Sequence, residues 1–247
     1  MTPTLDLQVD GLTPADEETA DLYDGMHEDE FKVLAQHDAG ERSLVLAFDT
    51  TATWGALHGE PNVAAFDVVR HRDQGSFSLR TSQHANLAFA RKWLIERGCP
   101  SDALQLAWRR PGDELTARVE ERIHRAGDRY EVVDQLAMDG EATEAWTIAV
   151  DRTAAELPAR LFLEEFQPDR GTYTLREGAF PDVETAWRWT RTDLGPLPLV
   201  PEDRDPEFNR TRATLARSAA PSISAAAVMA SAPAAAAVAQ PDRRRSL

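Results

Sequence analysis

One phrase is written twice in this chain. DQGSFSLR occupies residues 73–80 and DRGTYTLR occupies residues 169–176. Both run Asp, any residue, Gly, hydroxyl, aromatic, hydroxyl, Leu, Arg. The likeness extends outward at offsets that hold inside each stretch and change between stretches. Phe31, Val33 and Gln36 match Tyr130, Val132 and Gln135; Asp49 and Thr51 match Asp151 and Thr153. Leu87, Ala90 and Trp93 match Val183, Ala186 and Trp189. Loops tolerate insertion and regular elements do not, so the pattern predicts a tandem duplication. The shared phrase is a joint within each copy: a tight turn, with Gly75 or Gly171 supplying backbone freedom, feeds a last strand.

The periods within each copy define the unit. FKVLAQH and SLVLAFDT read as a hairpin, NVAAFDVVRHR as a third strand and SFSLR as a fourth, with Phe77 and Leu79 on one face. Thr13 is expected to cap a short helix with Pro14 at its first position, and the apolar stripe of that helix, Leu22 and Met26, is thin. Thr81 and Ser82 are expected to open the closing helix, which runs through Leu87, Ala90 and Leu94 toward Gly98. In the second copy Asp113 caps a helix with the stripe Leu115, Val119 and Ile123, four strands follow, and Asp182 caps the last helix. The expected fold class is therefore α+β: two modules, each a short helix, a four-stranded antiparallel meander and a covering C-terminal helix. Trp93 and Trp189 are expected to pack onto their own sheets. The modules span residues 1–100 and 101–195, and residues 196–247 form a Pro-rich linker and a disordered tail of Ala, Ser, Pro and Arg.

Composition narrows the functional classes. The formal net charge is −15, which disfavours a nucleic-acid-coating protein, because phosphate binding is driven by Lys and Arg. Only Lys32 and Lys92 are lysines, as expected from codon usage in a GC-rich genome. Cys99 is the only cysteine, so no intrachain disulfide is expected, and Cys99 reads as a small buried apolar side chain. No stretch approaches the roughly 20 apolar residues that span a bilayer, and the N-terminus lacks the pattern of a secretion signal. A cytoplasmic protein with no membrane contact is expected. There is no phosphate-binding glycine loop, no nucleophile elbow and no pair of histidines at zinc-site spacing. No catalytic residue, cofactor or metal is predicted.

The one candidate binding face lies on the final strands. Ser76, Ser78 and Arg80 correspond to Thr172, Thr174 and Arg176, and hydroxyls flanking an arginine can hold a phosphate or carboxylate. Arg70 and Arg72 add positive charge in the first copy, whereas the second carries the acidic LFLEEFQ there. The favoured function is a non-enzymatic interaction protein that binds another protein, or itself, through sheet faces or edges. In element order alone, residues 31–192 resemble the Whirly and PUR-repeat single-stranded nucleic-acid-binding proteins. That resemblance implies nucleic-acid binding, with Arg80 and Arg176 meeting phosphates and Trp54, Phe66 or Tyr173 stacking on bases. An enzyme with its site at the module interface is the third reading. Residues 218–247 lack the large apolar groups that repay ordering entropy. Deleting them should leave the melting temperature unchanged within error; a fall of several degrees in a thermal melt would show that they dock.

Overall fold

A computed structural model describes residues 3–52, 60–138, 143–192, 195–200 and 203. Residues 1–203 form one unit. The expected tail, including everything from residue 204 on, and Trp54 lie outside the described residues. The fold is α+β, with two five-stranded mixed sheets and, among the described residues, four α-helices. The first half runs β1 (Thr13–Pro14), α1 (Glu17–Asp24), β2 (Phe31–Ala39), β3 (Arg42–Asp49), β4 (Val63–His71), β5 (Ser76–His84) and α2 (Leu87–Glu96). The second runs β6 (Arg110–Pro111), α3 (Glu114–His124), β7 (Tyr130–Met138), β8 (Thr143–Asp151), β9 (Ala159–Gln167), β10 (Thr172–Phe180) and α4 (Val183–Thr192). The strand orders are β1-β5-β4-β3-β2 and β6-β10-β9-β8-β7.

Each sheet therefore has one strand more than the meander expected from the sequence, and that strand is parallel to its neighbour. Thr13 and Pro14 do not open the first helix. The Thr13 and Ala15 N–H groups donate to the Gly75 and Phe77 carbonyls at 3.0 and 2.8 Å, and Pro14, which has no N–H to give, falls between them on the outer edge. Arg110 and Gly112 bracket Pro111 in the same way against Gly171 and Tyr173. The helix caps are Asp16 and Asp113, which accept from Thr19 N–H at 2.7 Å and Thr116 N–H at 2.8 Å. Each capped threonine then accepts from the final strand, Thr19 from Leu79 N–H and Thr116 from Leu175 N–H. Gly75 and Gly171, with φ of 63° and 58°, turn the chain into β5 and β10. A bulge falls between Val33 and Ala35 in β2 and between Val132 and Asp134 in β7.

A second correction concerns the closing helix of the first half. Thr81 and Ser82 stay in β5, paired with Phe66 and Ala65, and α2 begins only at Leu87. Ladder pairing and the β-branched Thr81 outweigh the local capping signal.

The layers follow from which faces are apolar. The face of the first sheet built from Phe31, Phe66, Val68, Phe77 and Leu79 is covered by α1 and by an N-terminal strap that buries Leu5, Leu7 and Val9. Tyr23 of α1 meets Phe77 edge-on with ring centres 5.2 Å apart, so the thin stripe still seats the helix. The opposite face, with Leu44, Leu46 and Ala65, is covered by Leu87, Ala90 and Leu94 of α2. Cys99 is buried there too, and burial pushes its thiol pKa up. α2 also sends Phe89 to the second sheet, 5.0 Å from the Phe162 ring. α3 packs on α2 and on β10. The two helices thus form a layer between the sheets, while α4 covers the outer face of the second with Ala186 against Trp146, Ile148 and Phe180. Trp93 and Trp189 lie half-buried beside the cores of their own halves.

His84 ends β5 at a position matched in β10 by Phe180. It is buried, and burial, reinforced by Lys92 and Arg97, pushes its pKa down to about 4. The unfolded chain then binds a proton that the folded one refuses, so stability is lost as pH falls from about 6.5 toward 4, by at most about 3 kcal/mol. Replacing His84 with Phe should remove this slope. Denaturant titrations of both proteins across that range should give curves that converge toward pH 7; parallel curves would show that His84 is not the group responsible.

Candidate functional site

The eight side chains of the expected binding face do not converge. Ser76 and Ser78 are half-buried, with the Ser78 hydroxyl 3.4 Å from His71 Nε2, and Arg80 is exposed. Arg80 adds to the two Thr19 hydrogen bonds that hold the Asp16 carboxyl below its ordinary range. Arg176 is clamped on the α3 cap: its guanidinium meets Asp113 and donates to the Thr116 hydroxyl at 2.9 Å. Burial alone would raise the Asp113 carboxyl, but the Thr116 N–H and Arg176 outweigh it and hold it low. Thr172 is half-buried, and Thr174 donates to Glu165 at 3.3 Å. Arg72 is exposed in the turn. Arg70 is 3% exposed on the opposite side of the sheet, where it donates to the Leu7 carbonyl at 2.9 and 2.6 Å and to the Ser43 hydroxyl at 3.0 Å. Arg70 thus fastens the N-terminal strap.

The strap points to a different surface. It runs antiparallel to the edge of β2, where Val33 N–H donates to Pro3 at 2.8 Å and the Phe31 carbonyl accepts from Leu5 N–H at 3.0 Å. The corresponding edge in the second half is the start of β7. Arg152 N–H donates to the Arg129 carbonyl at 2.9 Å, and alternation along an antiparallel ladder then turns the backbone groups of Tyr130 and Val132 outward. Among the described residues these groups have no backbone partner. Val132 and Val133 beside them are 38% and 45% exposed. Of the flanking acids, Glu131 pairs with Arg152 at 3.1 Å, and Asp134 accepts from Gln135 N–H at 2.8 Å.

Among the described residues no segment straps the start of β7, and the segment at the position of the strap is used elsewhere. The offset that relates Asp16 to Asp113 carries Leu7 and Val9 onto Leu104 and Leu106. Those two residues are buried in the core of the first half, on the α2 face, rather than beside β7. The edge was not found from the sequence, although the alternation Leu5, Leu7, Val9 and its echo at Leu104 and Leu106 carried the signal. No family model matches the chain, no curated protein matches it, and no solved structure matches it, so the likeness in element order to Whirly and PUR-repeat proteins has no counterpart among these comparisons.

The two edges can be compared directly. Proline at 33 removes a strap hydrogen bond and disturbs a buried valine, whereas proline at 132 removes an N–H with no backbone partner among the described residues. Val33→Pro should therefore cost at least about 1 kcal/mol more than Val132→Pro. Urea unfolding of both variants measures the difference, and equal costs would mean that the β7 edge is already paired.

Proposed function

We propose that this chain is a non-enzymatic interaction protein that associates with a second copy of itself, β7 against β7. Its two sheets are read as copies of one module, residues 1–100 and 101–195, that diverged in what covers their outer edges. The open, apolar start of β7 is the observation that carries the reading, because an unpaired edge is a template for another strand. The strap on β2 supports the geometry, since the chain already closes the equivalent edge with an antiparallel segment. Two identical edges related by a two-fold axis are antiparallel by construction. A register centred on Val132 lets each copy's Val132 N–H meet the other's carbonyl and sets Glu131 opposite Val133 rather than opposite another acid. The candidate arginines give less support to nucleic-acid binding: Arg70 and Arg176 are committed to internal partners, and the chain carries a net charge of −15.

A short edge buries little area, so the dimer should be weak, with a dissociation constant of about 10–100 µM. Repulsion between two acidic copies means that added salt should strengthen it. Light scattering after size-exclusion chromatography, run over a concentration series at low and high salt, should show a dimer that is lost in Val132→Pro and in Val133→Lys. A chain that stays monomeric throughout, or a dimer that survives both substitutions, would overturn the reading.

A further inference from the structure

A cavity of about 540 Å³ opens between the two halves and is independent of the β7 edge pairing. Its walls are apolar: Leu34, Phe48 and Val63 from the first sheet, Leu87 from α2 and Phe166 from β9. Lys32, Trp108 and Arg109 also line it, and Trp108 is 51% exposed, which places it at the mouth. Glu164, 3% exposed, lies at the floor. Cavities of this size and character are the usual form of small-molecule sites.

The charges facing it are unequal in availability. Arg109 is ion-paired with Glu164, and its guanidinium lies 4.6 Å over the Phe166 ring and 5.1 Å over that of Tyr173. Arg109 and Glu164 neutralise each other as a buried ion pair, so the floor presents little net charge. Lys32 is different. Its ammonium donates to the Thr4 hydroxyl at 3.3 Å and, among the described residues, has no carboxylate within ion-pair distance. The other lysine, Lys92, is paired with Glu96. In a chain of net charge −15, an unneutralised cation at the mouth of an apolar cavity calls for an anion supplied from outside.

We infer that the cavity binds a small monocarboxylate with an apolar tail, its carboxylate at Lys32 and its tail against Leu34, Phe48, Val63, Leu87 and Phe166. A monocarboxylate fits better than a phosphate or a dicarboxylate, since among the described lining residues Lys32 alone is a cation without a carboxylate partner and most of the remaining wall is apolar.

Decanoate is a suitable probe and decanol its neutral control. Titration of the full chain, followed by tryptophan fluorescence and by thermal shift, should show saturable decanoate binding in the micromolar range. Decanol should bind about tenfold more weakly, and Lys32→Met should weaken decanoate by a similar factor while leaving decanol unchanged. Lys32 is half-exposed, so its replacement leaves the core intact, and the comparison of ligands on the unaltered protein needs no variant at all. The Val132→Pro protein should bind decanoate as the parent does, which separates this inference from the self-association reading. Absence of saturable binding at millimolar decanoate, decanol binding as tightly as decanoate, or unchanged binding by the Lys32→Met protein would each overturn it.

Discussion

A buried ion pair joins the two halves at the helix layer between the sheets. Arg91 on α2 meets Glu120 on α3, with side chains only 9% and 11% exposed, and the Tyr173 hydroxyl donates to the same carboxylate at 2.5 Å. The neighbouring Arg109–Glu164 pair is buried in the same layer. Charges taken out of water are tolerated only when geometry and hydrogen bonds are well satisfied, so the pair fixes α2 against α3 in one alignment. The consequences spread outward. Fixing α2 places Leu87, Ala90 and Leu94 on the first sheet and Phe89 on Phe162 of the second. Fixing α3 places Thr116 under Leu175 and so positions β10. The cavity lined by Lys32 and Glu164 lies between walls contributed by both sheets, and its shape rests on the same alignment.

Near-identical local geometry coexists with unlike surroundings. The caps at Asp16 and Asp113, the bulges in β2 and β7 and the parallel edge strands recur position for position. The differences lie in what each half covers. The inward face of the second sheet carries a charged set, Asp151 with Arg129 and Arg160, and these hydrogen bonds overcome burial and hold the Asp151 carboxyl well below the ordinary range. Asp49, its counterpart in the first half, accepts from the backbone and hydroxyl of Thr51 as Asp151 does from those of Thr153, but its other carboxylate oxygen accepts from Gln83 at 3.4 Å where that of Asp151 meets the two arginines. The differences between the halves are concentrated at positions that face a neighbour, not at those that shape the chain.

Much of the fold was legible in the sequence because turn and cap chemistry is local. Gly75, Gly171, Asp113 and Asp182 each do what their residue type suggests at that place. The failures share a cause. Pro14 reads as a helix start until its missing N–H is seen to face away from β5, and Thr81 reads as a helix cap until its ladder partner Phe66 is known. Arg70 reads as a surface cation because nothing in its neighbourhood announces that the Leu7 carbonyl, 63 residues away, accepts from it. The β7 edge and the cavity belong to the same group: each is defined by a partner distant in sequence or by the lack of one.

The displaced segment at Leu104 and Leu106 bears on how the two halves are joined. Those residues complete the core of the first half, yet they follow α2 and immediately precede β6. In chain order the first sheet and its helices precede the residues that close their core, so a chain ending near residue 100 lacks the side chains that fill the seat beneath α2. Leu104 and Leu106 seated there tether the start of the second half to the core of the first.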